Sequence, residues 1–124
     1  MKLRIQSNSI RVRLTRGEVA DLAAGKTIVQ TTSFSPTSTL ILSIETSSRS
    51  TTPTATFDSS RLTVILPHEG TRQWSESDEV SIQAEQTIDD QHSLSLLIEK
   101  DFECLHHREE NRDAFPNPRK RNAE

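Results

Sequence analysis

A chain of 124 residues can form one domain with a modest core. Leu, Ile, Val and Phe supply 29 of them, just above the roughly 20% below which a charged chain is expected to stay disordered. The formal charge is −3, no apolar run exceeds three residues and Cys104 stands alone, which excludes a bilayer-crossing helix and an internal disulfide.

Strand signals dominate from the start. Leu3 and Ile5 alternate with Arg4 and Gln6, then Ile10, Val12 and Leu14 alternate with Arg11, Arg13 and Thr15. Ser7-Asn8-Ser9 between them is turn chemistry, with Asn8 the residue expected to tolerate positive φ. The pair predicts a hairpin with one apolar and one basic face. Thr15 and Glu18 have capping-box spacing, Val19, Leu22 and Ala23 fall at helical spacing, and Gly25 is placed to end the helix. A strand with Ile28, Gln30, Thr32 and Phe34 on one face follows, then another from Thr39 to Thr46. Residues 47–53 contain no apolar side chain apart from Pro53 and read as a linker.

A shift of 52 then repeats the pattern. Leu3 and Ile5 land on Ala55 and Phe57; Ile10, Val12 and Leu14 land on Leu62, Val64 and Leu66; Leu22 lands on Trp74 and Ile28 on Val80. With a two-residue slip in the next turn, Leu40, Leu42 and Ile44 meet Leu94, Leu96 and Ile98. The second helix, after Pro67, is weak: His68 to Ser77 offers only Trp74 as a large apolar residue, which reads as a core anchor over a short helical turn. The expected fold is therefore mainly β (α+β), a pseudo-twofold duplicated ββαββ repeat closing a small barrel or sandwich, with helices capping its ends. The domain would span 1–105, with repeats at about 2–46 and 54–102 and a flexible polar tail at 106–124.

The element order resembles the swapped-hairpin fold of AbrB-like transcription regulators, and RLTVILPHEGTRQWSESDEVSIQAEQ at 61–86 is similar to that family's strand, proline, helix and hairpin. The family's arginine stands closer to its proline than Arg61 does to Pro67, and the glycine before it is missing. The resemblance therefore implies topology and no functional residue. MKLRIQSNSIRVRLTRGEV at the start, LIEKDFECL at 97–105 and DAFPNP at 113–118 resemble an uncharacterised family of small bacterial proteins, which implies a bacterial origin and no mechanism.

Catalytic constellations are missing from the pattern. Three glycines cannot build a P-loop and a GxGxxG turn, and no nucleophile elbow occurs. Cys104, His106 and His107 are the one cluster of metal-ligand types, but no second Cys completes a zinc pattern. Asp101 and Glu103 beside Cys104 favour the neutral thiol over a nucleophile. The adjacent acids Asp78-Glu79, Asp89-Asp90 and Glu109-Glu110 read as surface or turn residues; acid–base work needs carboxylates converging from separate elements. No enzyme, cofactor or metal is expected.

Charge is polarised. Residues 1–58 hold seven Lys/Arg against four acids, and the remainder holds eight against fourteen. Arg4, Arg11 and Arg13 share the outward face of the first hairpin, with Arg16 following, and form the candidate nucleic-acid contact. The competing expectation is that they pair with acids of the second half or simply solvate a strand face. The reading is a small non-catalytic binding module, a monomer or homodimer. A protein partner is favoured over nucleic acid, with no membrane role. The alternative is a DNA-binding regulator of AbrB-like type. MKLRIQSNS lacks the apolar stretch of a secretory signal, so a cytoplasmic location is expected.

Overall fold

The computed structural model describes residues 1–102 and Phe115. The expectations for Cys104, His106, His107 and most of the tail lie outside the described residues.

The described chain runs β1 (Lys2–Gln6), β2 (Ser9–Leu14), α1 (Arg16–Ala23), β3 (Ile28–Ser35), β4 (Ser38–Ser47), β5 (Thr54–Asp58), β6 (Arg61–Pro67), α2 (His68–Glu76), β7 (Ser81–Thr87) and β8 (Ser93–Lys100). The order ββαββ thus occurs twice. Two four-stranded sheets form, β1-β2-β8-β7 and β3-β4-β6-β5, so each sheet takes one hairpin from each half of the chain.

The hairpins are antiparallel, and the strands that join the halves, β2 with β8 and β4 with β6, are parallel. The registers correspond: Ile10 faces Leu96 and Val12 faces Ile98 in one sheet, as Leu62 faces Leu42 and Val64 faces Ile44 in the other. These inward residues join Leu14, Leu66, Val19, Leu22 and Trp74 in one continuous buried cluster. The sheets therefore pack face to face as a sandwich with no closed barrel.

Three details differ from the sequence reading. The two-residue slip precedes the third strand of the repeat, because Ile28 pairs with Ile44 as Ile82 pairs with Ile98; Ile28 therefore matches Ile82 and not Val80. The helices, expected to cap the ends of the fold, pack against each other, since each follows a strand whose last residues lie in the same core. In the first turn Ser7, and not Asn8, takes the positive φ of 50°. Asn8 instead spends its side chain on Ser93, donating from Nδ2 to the carbonyl at 2.7 Å.

Helix α1 is bounded as its sequence predicts. Thr15 Oγ1 accepts from the Glu18 N–H at 3.3 Å, and Glu18 Oε1 accepts from the Thr15 N–H at 2.9 Å. Gly25 takes φ 86°, its N–H bonding to Leu22 O while the Lys26 N–H reaches Asp21 O. These two bonds satisfy carbonyls that the helix end would otherwise leave open. Helix α2 runs nine residues rather than a single turn. Beside Trp74, Thr71 is fully buried, its hydroxyl donating to Pro67 O at 2.7 Å, so it packs as a core residue. Trp74 is 4% exposed and occupies the place of Leu22 in the other half.

Glu18 also carries a pH dependence. Burial raises its pKa, but bonds from Thr15 and the Met1 ammonium, 3.0 Å from Oε2, outweigh that and hold the carboxyl below its ordinary 4.5. A carboxylate lowered in the folded state contributes stability above its unfolded pKa and loses it as pH falls through the folded value. Glu18→Gln should therefore narrow the stability difference between about pH 6 and pH 3, read by denaturant melts at both.

One seam between the sheets is stitched. Gln86 on β7 accepts from the Ala55 N–H at 2.7 Å and donates to Ala55 O at 2.9 Å, imitating a strand pair across the edge of β5. Ala55 is buried, so Gln86→Leu leaves two backbone groups without partners and should cost about 1–3 kcal/mol in a denaturant melt. At the corresponding place in the first half stands Thr32, which is exposed.

Candidate functional site

Side chains alternate across a strand, so burying Leu3, Ile10 and Val12 turns Arg4, Arg11 and Arg13 to the outer face of the first sheet. The register places Arg4 directly opposite Arg11. Like charges facing across a strand pair are destabilising, and the arrangement persists because Arg11 and Arg13 find an acid on the next strand. The Nε atoms of Arg11 and Arg13 lie 3.4 and 2.7 Å from Glu99 Oε1.

Glu99 belongs to the second half, and its side chain is 12% exposed. The acid pairing expected from the charge polarity is therefore real: Arg11 and Arg13 both reach the Glu99 carboxylate. Arg4 donates to Gln6 Oε1 at 3.1 Å, with no carboxylate in ion-pair range among the described residues. Lys2, on the same face, reaches Asp101 at 3.2 Å.

Arg4, Arg11 and Arg13 border a groove of about 920 Å³ across all four strands of the sheet. Arg4, Gln6, Arg11 and Arg13 line it from the first half; Gln83, Glu85, Ser95 and Leu97 line it from the second. Leu97 gives the groove a half-buried apolar element between the charged walls. Neither half holds this surface alone, because hairpin exchange brings β1 and β2 beside β8 and β7.

Arg16 is not brought to the groove. It opens α1, after the strand has ended. Sequence reasoning missed Glu99 and Leu97, whose outward parity on β8 follows from burying Leu96 and Ile98; what it lacked was the β2–β8 pairing. Among the described residues, no cluster of three or more metal-ligating side chains forms. Asp89 serves its turn, accepting from the Gln91 N–H and pairing with His92 at 2.8 Å, bonds that lower its pKa. Among the described residues no helix is long and apolar enough to cross a membrane.

No curated protein and no solved structure matches the chain. A family model does match, over residues 1–119. The chain belongs to that family, DUF7009, a family of unknown function.

Proposed function

We propose that the protein is a small non-catalytic cytoplasmic binding module that takes an acidic, extended protein segment in the groove of the first sheet. The observation that carries this reading is the set of three guanidiniums, Arg4, Arg11 and Arg13, lining one groove, with Arg4 opposite Arg11 and no carboxylate in ion-pair range of Arg4 among the described residues. A ligand carboxylate placed between Arg4 and Arg11 would relieve their repulsion and accept charge-assisted hydrogen bonds. Leu97 offers the same ligand an apolar contact. We also read the two ββαββ halves as a duplication, in which one copy's basic hairpin and the other's Glu99 and Leu97 came to share one surface.

The alternative is duplex DNA held by Arg4, Arg11, Arg13 and Arg16. Glu85 lines the same groove and Glu99 sits against Arg11 and Arg13; both would repel a continuous phosphate backbone, and Arg16 stands apart, so the acidic segment is favoured. Titration of a fluorescent poly-glutamate peptide and of a labelled duplex, each at two salt concentrations, separates the readings. The expected result is salt-sensitive peptide binding weakened about tenfold or more by Arg11→Ala/Arg13→Ala. Duplex binding that the same substitutions abolish would favour the regulator. Binding of neither ligand would remove the groove from consideration.

A further inference from the structure

Of the four sheet edges, three are guarded. Strand β1 carries Lys2 and Arg4, β7 carries Glu85, and β5 ends in Asp58 and is covered at Ala55 by Gln86. Charged side chains and covering groups are how edge strands avoid pairing with other chains. Strand β3 has neither. It pairs with β4 alone, and every residue from Val29 to Ser35 is exposed.

No charged residue occurs anywhere from 27 to 44. Strand β3 reads IVQTTSFS, rich in β-branched residues and free of proline, the composition that favours strand pairing. The register irregularity between Ser33 and Ser35 lies at its far end, leaving Ile28 to Ser33 regular. Val29 and Phe34, 52% and 70% exposed, add apolar surface to this edge.

We infer that β3 is an interaction surface for a second copy of this chain, pairing antiparallel with its own counterpart to join two sheets into one of eight strands. A second copy suits this edge because it brings an equally neutral strand with no like charges to oppose. A twofold axis normal to the sheet pairs residues of like parity; centred on Thr31, it sets Thr31 against its copy, Gln30 against Thr32 and Val29 against Ser33. The residues that line the arginine groove belong to the first sheet and none lies on β3, so the inference stands whether or not the groove binds an acidic segment.

Sedimentation equilibrium of the full chain tests it. The wild type should populate a dimer at about 100 μM, as suits a small interface. Thr31→Lys, on an exposed outer position, puts like charges face to face and should weaken the dimer about tenfold or more. Mixing Thr31→Lys with Thr31→Glu should restore it, while Thr56→Lys on exposed β5 should leave it unchanged. A monomeric wild type, a dimer indifferent to Thr31→Lys, or a failure of the mixture to recover association would each overturn the inference.

Discussion

Replacing Leu14 or Leu66 with alanine is expected to destabilise the protein by about 2–5 kcal/mol. Both side chains are fully buried. They hold corresponding places, each the last inward residue of the strand that leads into a helix, where the two sheets and the helix pair converge. Truncation removes apolar surface and leaves a cavity that close-packed neighbours fill only in part. Domains of this size are stable by only about 5–15 kcal/mol, so either change should move the urea midpoint far down. Because the surroundings correspond, the two losses should be of similar size. Ile5 and Phe57 provide the control: they also correspond by the 52-residue shift but are 61% and 68% exposed. Alanine at either should cost about 0.5 kcal/mol or less. A large gap between Leu14→Ala and Leu66→Ala would show that the halves do not share equivalent roles in the core.

Glu99→Gln should have two opposed effects. The carboxylate holds Arg11 and Arg13 at once, and it is largely buried beneath them. Its neutral isostere keeps the shape but removes the negative charge beside two guanidiniums, of which Arg11 faces Arg4 and Arg13 faces Lys2 across the strand pair. A loss of about 1–3 kcal/mol in folding stability is expected, within the range for hydrogen bonds to charged groups. The groove meanwhile gains a net positive charge, so an acidic peptide should bind more tightly at low salt, and the gain should shrink as salt screens it. Denaturant melts and peptide titrations on the same variant read both. Unchanged stability would mean that the shared ion pair contributes nothing; reduced peptide affinity would count against the groove as an anion site.

Local features were legible where a local rule decides them. The alternation from Leu3 to Leu14 set the hairpin's two faces, and with them the shared exposure of Arg4, Arg11 and Arg13. Thr15, Glu18 and Gly25 bounded α1 by hydrogen bonds made within a few residues. The length of α2 was harder to read, because Thr71 counts as polar by composition although its hydroxyl is satisfied within the helix and its methyl packs in the core. Partner choice between strands was not legible at all. Val12 and Ile98 carry the same alternation as Val12 and Ile44, and no local propensity says which pair becomes neighbours. The place of Glu99, the groove floor at Leu97 and the Gln86 stitch all depend on that choice. The apparent match of Ile28 with Val80 failed for a related reason: neighbouring apolar residues on alternating strands make two-residue shifts nearly equivalent by eye, and only the cross-strand register distinguishes them.

The exchange of hairpins between halves underlies both the core and the groove, and cross-strand nuclear Overhauser effects in the labelled full-length chain test it most directly. The account predicts backbone contacts between Val12 and Ile98 and between Val64 and Ile44, in the pattern of parallel strands. Contacts instead joining β2 to β4 and β6 to β8, each half closing its own sheet, would contradict it.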